Sequence, residues 1–232
     1  MKLFEIAFAC YIYGQMSDYD SSYCDFLKAT NHKPDIKIAE HRIELLKWLN
    51  KWGCRQFAKN YHRLASEEIR TWYEQFNGLL FPTRKTLLEL SDDEAAVASK
   101  AYADLAERKA SKRNTKSGGK SDVMIGPTGA AKILFAIRPN ALPPWDDPIR
   151  PRLKLDGSAK SYVSYLGIVK REIEELGKAC ERNGYSLLDL PKLVDKPTSS
   201  LAKLIDEYFW VTISRKCPAP ASDSLARWAT WQ

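Results

Sequence analysis

The chain has 232 residues and a formal net charge of +7, with 44% hydrophobic and 28% charged residues. This composition excludes disordered, collagen-like and solenoid-biased chains, and the length suits one large domain or two small ones. The moderate excess of Lys and Arg fits a protein that binds polyanions, although many other globular proteins share it.

The cysteines and histidines argue against metal, cluster and disulfide chemistry. The five cysteines are odd in number, are widely separated and show no CxxC spacing. This pattern disfavours a zinc ribbon, an iron–sulfur cluster and a disulfide framework. The three histidines have no ligand spacing. We therefore expect reduced thiols in a cytoplasmic protein, with no metal and no cofactor.

The N-terminal run MKLFEIAFACYIYGQ is apolar but is interrupted by Glu5. No small-residue cleavage site follows it, so we interpret it as a buried helix rather than a signal peptide. No segment reaches the ~18 apolar residues needed to cross a bilayer. We therefore expect no membrane partner.

Helical periodicity dominates the chain and predicts a mainly α fold. Ser66 is a candidate N-cap, and Ser91 with Glu94 three residues later forms a capping box. Residues 19–34 are interpreted as a loop or a short helix. The apolar spacing predicts helices over residues 1–15, 36–52, 66–78, 91–110, 158–180 and 200–212.

The stretch SKRNTKSGGKSD, residues 111–122, is basic and contains Gly and Ser. No pair of strands with a hairpin signal stands out, so this stretch is predicted to be a flexible loop. It divides the chain into a helical subdomain (1–110), the basic loop (111–122), a second helical subdomain (123–214) and a C-terminal tail (215–232).

Most of the candidate functional residues lie in residues 126–152, which read GPTGAAKILFAIRPNALPPWDDPIRPR. Gly126 and Gly129 open an apolar helix, and glycines at a helix start let the backbone approach a phosphate. Lys132 adds a positive charge one turn later. The helix is broken at Pro139, and a proline-bounded loop then delivers Asp146. Considered alone, the two glycines equally fit a plain tight turn.

This stretch resembles the helix-hairpin-helix DNA glycosylase superfamily, in particular its adenine-excising, MutY-like branch. Gly126 takes the position of the hairpin glycine, and Pro144, Trp145 and Asp146 match a proline-apolar-aspartate signature. The resemblance covers about 30 residues strongly. Further matching positions are Ala130, Ile133 and Leu134 in the helix, and Ile149 and Arg152 after the aspartate. The chain departs from the family in its turn sequence, in the basic stretch before the hairpin and in lacking a C-terminal cysteine cluster.

The resemblance implies a two-part helical fold with a helix-hairpin-helix element and a cleft between the subdomains. It also implies that Asp146 is catalytic, because a carboxylate near C1′ stabilises the oxocarbenium-like transition state of N-glycosidic cleavage. The alternative is that Asp146, like Asp147, is only an N-cap. Thr128 stands where lyase-competent members carry a lysine, which implies a monofunctional enzyme unless Lys132 substitutes for it.

A glycosylase must also grip DNA and hold a flipped base. Trp145, Tyr11 and Tyr13 are the candidates for the base pocket, with plain core packing as the alternative. The candidate DNA-binding residues are Gly126, Thr128, Gly129, Lys132, Lys116, Lys120, Arg150 and Arg152, although the basic run could equally be an ordinary solvated loop.

The leading hypothesis is therefore a monomeric DNA glycosylase that removes a damaged or modified base and leaves an abasic site. The base is not readable from the sequence, and a hypermodified base of phage DNA would place the protein in antiphage defence rather than in repair. The alternatives are a non-catalytic helical module that binds nucleic acid and a helical interaction protein without a nucleic-acid role.

Overall fold

The computed structural model describes residues 1–116 and 118–230, and the chain is mainly helical, as the periodicity predicts. The first five helices are α1 (Leu3–Met16), α2 (Tyr19–Ala29), α3 (Ala39–Lys51), α4 (His62–Phe76) and α5 (Asp92–Ala106). A two-stranded sheet of β1 (Lys109–Asn114) and β2 (Lys120–Met124) follows. The later helices are α6 (Gly126–Ile137), α7 (Ile149–Arg152), α8 (Ala159–Arg182), α9 (Leu190–Leu193), α10 (Leu201–Phe209) and α11 (Ser222–Ala229).

Most of the predicted helices are present, with shifted ends. The capping box at Ser91 is confirmed, because its hydroxyl accepts from the Glu94 backbone N–H and Glu94 reaches back to the Ser91 backbone. The N-cap prediction for Ser66 is wrong: α4 begins four residues earlier, at His62. Ser66 is buried within that helix and accepts a hydrogen bond from Arg42 Nε at 2.8 Å.

The basic stretch is not a loop. Residues 109–114 pair antiparallel with residues 120–124, with Lys112 opposite Asp122 and Asn114 opposite Lys120. The exposed side chains on both strands are mostly polar, so the apolar alternation that usually marks a hairpin is missing from the sequence. The β-hairpin lies between α5 and α6, within the basic stretch that separates the preceding helix from the predicted hairpin glycine, Gly126.

Helix α6 lies at the centre of the molecule and is buried on every side from Gly129 to Ile137. It packs between α3 and α5, while α10 packs against α1 and α8. The main hydrophobic cluster draws residues from α1 through α10. Within the described part of the chain, no helix is both long and apolar enough to cross a membrane. The division into subdomains at residues 110 and 123 stays a prediction.

Candidate active site

The central feature of the site is an ion pair between α6 and the loop that follows it. Lys132 Nζ lies 2.8 Å from Asp146 Oδ1 and donates to the Trp52 carbonyl at 2.8 Å. The lysine side chain is 7% exposed and the aspartate side chain 26% exposed. Burial favours the neutral amine, but Asp146, together with Cys54 and Asp206, more than offsets it, so the pKa of Lys132 is raised. Lys132 is therefore a buried ammonium that pairs with the partly exposed carboxylate of Asp146.

The local sequence explains why these two groups meet. Gly129 lets α6 pass directly beneath the segment after α3, because a Cβ there would lie 2.6 Å from Gln56 Nε2. Gln56 in turn donates to the Ile125 carbonyl at 2.7 Å, which ties the start of α6 to that segment. Lys132, one turn later, then lies under the Trp52 carbonyl at the C-terminal end of α3.

The Asp146 side chain is not a helix cap. The N-cap position of α7 is Pro148, and Asp146 contributes only its backbone carbonyl, which accepts from Ile149. Asp147 pairs with Arg150 instead and is 87% exposed. The carboxylate of Asp146 is thus committed to Lys132 rather than to the backbone of α7.

Asp146 and Lys132 line a small recess of about 10 Å³, close to the volume that one water molecule needs. Its other walls come from α1, α2, the end of α3, α10 and the turn that follows α10: Tyr13, Tyr19, Trp52, Pro144, Asp206 and Trp210. The Tyr13, Tyr19 and Trp210 rings contact one another at centroid distances of 5.0 to 6.3 Å. A carboxylate in such an apolar, aromatic setting acts more strongly on a nearby charge than it would in water.

Asp206 is a second carboxyl group at the recess. Burial, with a smaller contribution from the Asp146 carboxylate, raises the pKa of Asp206 to about 7 against the opposing charge of Lys203. The recess therefore brings together the ion pair of Asp146 with Lys132 and a second carboxyl group whose pKa is raised.

A buried charge cluster backs the recess on α10. Lys203 Nζ lies 3.0 Å from Glu207 Oε1 and 3.6 Å from Asp206 Oδ2, and it sits 4.1 Å from the centre of the Tyr13 ring. Burial favours the neutral amine, but Glu207, Tyr13, Asp206 and Asp20 together more than compensate, so the pKa of Lys203 is raised. This cluster anchors α10 against α1 and thereby holds Asp206 in place.

Two of the three predicted base-pocket residues do not line the recess. Trp145 is fully buried among Tyr102, Tyr162 and Tyr165, with its ring 4.9 Å from that of Tyr165. Its apolar ring turns into the core, whereas the next residue along the loop reaches the recess. Tyr11 is 66% exposed on the outer face of α1 and does not line the recess. Tyr13 does line the recess.

Several predicted DNA contacts are also corrected. Lys132 is buried in its ion pair and cannot meet a phosphate at the surface. Gly129 is buried under Gln56, so its role is close packing. Arg150 is 8% exposed, donates to the Thr128 hydroxyl at 3.0 Å and pairs with Asp147, which commits the guanidinium to neighbours within the protein.

The remaining predicted contacts stay open to solvent. Lys116, Lys120 and Arg152 are exposed, and Gly126 is half-buried with φ of +68°, which favours glycine at this turn. Among residues 1–116 and 118–230, no carboxylate forms an ion pair with any of the three cations. No group of three or more His, Cys, Asp or Glu side chains in the described ranges is arranged to hold a metal ion.

Sequence reasoning missed Asp206 and the cluster behind it. The apolar spacing predicts a helix over residues 200–212, and α10 is largely buried. The usable signal was the spacing of Lys203, Asp206 and Glu207 at i, i+3 and i+4, which places three charges on one face of an otherwise apolar helix. Charged side chains are rarely buried unless they are paired, so such a triplet indicates either a buried ion-pair network or a functional site.

Comparison of the chain with protein-family models, with curated proteins and with solved structures finds no match.

Proposed function

We propose that the protein is a monofunctional DNA glycosylase that hydrolyses the N-glycosidic bond of a damaged or modified base. The observation that carries the proposal is the ion pair of Asp146 with Lys132, at a water-sized recess that a second carboxyl group, Asp206, also lines. The partial exposure of Asp146 leaves one face of the carboxylate open to a substrate.

The proposed reaction adds water across the bond between C1′ and the base. As the C1′–N bond breaks, its electron pair leaves with the base, and the sugar acquires positive charge that the Asp146 carboxylate stabilises. A water molecule beside Asp146 then forms the new C1′–O bond. Its released proton balances the proton taken up by the departing base, and an abasic site remains.

Lys132 supports hydrolysis rather than strand cleavage. A Schiff base requires a neutral amine, whereas the Lys132 ammonium is held in its charged form by Asp146. Thr128 occupies the position that the resemblance assigns to a lyase lysine, and its hydroxyl accepts from Arg150. We therefore propose that Lys132 orients Asp146 and does not attack the sugar.

The β-hairpin supports a DNA partner. Lys112, Arg113, Lys116 and Lys120 are exposed along it, and Asp122 pairs with Lys109 and Lys112. Clustered cations of this kind bind phosphate backbones through charge, without reading sequence. The identity of the excised base decides whether the enzyme serves repair or antiphage defence.

The test is incubation of the protein with a panel of modified duplexes, followed by alkali or an abasic-site endonuclease. We expect strand breaks only after that treatment, and no borohydride-trapped protein–DNA adduct. Asp146→Asn should lower product formation at least about a hundredfold while DNA affinity is retained.

Asp147→Asn is the matched control, because it removes the neighbouring carboxylate and leaves the recess intact. Equal activity of both variants would refute the role of Asp146. DNA binding without product on any modified duplex would favour the non-catalytic binding module.

A further inference from the structure

A second cavity, much larger than the recess, lies at the C-terminal end of α6. Its volume is about 1010 Å³, which is ample for a drug-sized ligand. We call it the Arg138 cavity. It is lined by residues 32–35, by residues 135–140 at the end of α6 and by residues 195–200, together with residues from α2, the end of α4, the Pro82–Thr83 turn and Lys203 of α10. None of its lining residues lines the recess.

Arg138 is the distinctive group of this cavity. It is 6% exposed, and three of its N–H groups donate: Nε to the Phe81 carbonyl at 2.6 Å, Nη1 to the Ile137 carbonyl at 2.9 Å and Nη2 to Asn77 Oδ1 at 3.2 Å. A guanidinium has about five N–H donors, so two remain for another acceptor. The three hydrogen bonds hold the guanidinium in one orientation.

The charge of Arg138 has no carboxylate partner. Within residues 1–116 and 118–230, no Asp or Glu lies within ion-pair distance of it. Burial lowers the pKa of Arg138, and the nearby Tyr73 only partly opposes the shift. Burying a cation without an anionic partner is unfavourable in free energy, and a bound anion would reduce this cost. The carbonyls at the end of α6 supply part of that compensation, and the open cavity leaves room for the rest.

The surrounding lining suits a phosphorylated ligand with an apolar part. Lys33 adds a further cation, and Thr83 and Thr198 add hydroxyl groups. Lys196 and Lys203 also line the cavity, but they are paired with Asp20 and Glu207. On the apolar side, the Tyr23 and Phe135 rings lie 5.1 Å apart. The carboxylates of Asp35 and Asp195 also line the cavity. Asp35 accepts from the Lys37 backbone at 2.9 Å, which partly satisfies it.

The backbone at the cavity wall has an uncommon shape. Asn31 and His32 adopt φ of +52° and +56°, and Asp195 adopts +58°. Asn, His and Asp are the side chains that best tolerate this region, so the sequence encodes these turns. Of these three residues, His32 and Asp195 line the cavity.

We propose that the Arg138 cavity binds a small phosphorylated ligand of the nucleotide class, with the Arg138 guanidinium on the phosphate and the flat ring toward Tyr23 and Phe135. This site is separate from the Asp146 recess and does not depend on the proposed glycosylase activity. The phosphate could belong to a free nucleotide or to the end of a DNA strand, and the chemistry of recognition is the same.

The test is calorimetric titration of the full chain with AMP, adenosine, inorganic phosphate and a 5′-phosphorylated DNA hexamer. We expect AMP to bind at least about tenfold more tightly than adenosine, because only AMP carries the group that Arg138 recognises. Tighter binding of the hexamer than of AMP, with the same dependence on the variants below, would assign the phosphate to a DNA strand.

Three variants separate binding from folding. Arg138→Gln should weaken AMP binding at least about tenfold, and Thr83→Trp should weaken it by a similar factor by filling the cavity from an exposed position. Asp146→Asn should leave AMP binding unchanged, which keeps this test distinct from that of the glycosylase. If Arg138→Gln fails to fold, Thr83→Trp decides the outcome. Equal binding of adenosine and AMP, or undiminished AMP binding by Thr83→Trp, would overturn the proposal.

Discussion

Asp146 and Asp206 line one recess, where burial and the charge of Asp146 raise the pKa of Asp206 to about 7. The two carboxyl groups come from segments 60 residues apart in sequence. Lys132 lies 2.8 Å from the more exposed carboxylate, whereas Lys203 lies 3.6 Å from the buried one. The two carboxyl groups of one recess are therefore placed in different electrostatic environments.

The raised pKa of Asp206 predicts a specific dependence of stability on pH. An unfolded Asp titrates near pH 4, whereas folded Asp206 holds its proton up to about pH 7. Between these values the folded state binds more protons, so this group's contribution to the free energy of unfolding falls as pH rises and levels off above pH 7. In the wild type, Asp206 should lower the free energy of unfolding at pH 8 relative to pH 5. Denaturant unfolding at the two pH values should show that this decrease is smaller in Asp206→Asn.

Asp147→Asn is the control for this measurement, because Asp147 is exposed and does not line the recess. It should keep the wild-type difference between the two pH values. An unchanged difference in Asp206→Asn would show that Asp206 titrates normally in the folded protein.

The ion pair of Lys132 with Asp146 predicts energetic coupling. Lys132→Met leaves the Asp146 carboxylate without its cation and the Trp52 carbonyl without its donor. We expect a loss of about 2 kcal/mol in the free energy of unfolding, moderated by the partial exposure of Asp146. The double variant Lys132→Met with Asp146→Asn should lose less than the sum of the two single losses. Strict additivity, measured by urea unfolding, would contradict the pairing.

Gly129 predicts a test of the packing that positions Lys132. A Cβ at this position would lie 2.6 Å from Gln56 Nε2 and 2.9 Å from Ile125 Cγ2. Gly129→Ala should therefore cost about 1–3 kcal/mol of stability. Gly78→Ala is the matched control, because its Cβ would meet no described atom within 4 Å, and it should be neutral or slightly stabilising. Equal melting temperatures of the two variants would rule out the close approach.

The hairpin cations predict a change in salt dependence. Lys116→Ala with Lys120→Ala should reduce the slope of log affinity for duplex DNA against log salt by up to about 0.9 for each phosphate that is no longer neutralised. Lys47→Ala with Lys178→Ala removes the same charge from exposed helical positions and should leave the slope nearly unchanged. Equal slopes in the two double variants would place the DNA contact elsewhere.

Much of the helical architecture was predictable from local pattern. The periodic apolar spacing that predicts α3 and α8, and the capping box that opens α5, depend on residues only a few positions apart. The β-hairpin was not predictable in this way. Its exposed side chains are mostly polar, so nothing local distinguishes the strands from a basic loop.

The site residues likewise fall into those that the sequence could indicate and those that only tertiary packing explains. Asp146 could be singled out only through the family resemblance, which depends on its distance from the helix start and on the prolines beside it, whereas the residues alone also fit an N-cap. Lys132 looked like a surface phosphate contact, and Trp145 looked like a pocket wall. Neither local sequence reveals that α3 covers the lysine or that α5 and α8 enclose the tryptophan.

The sequence by itself determined a mainly helical chain and an aspartate delivered by a short loop, because helix formation and turn chemistry are set by near neighbours. Only the tertiary structure decided which charges face each other. Lys132, Asp146 and Asp206 lie together because the buried helices α6 and α10 and the loop after α6 all border one recess. In this recess Asp146 pairs with Lys132, and burial raises the pKa of Asp206.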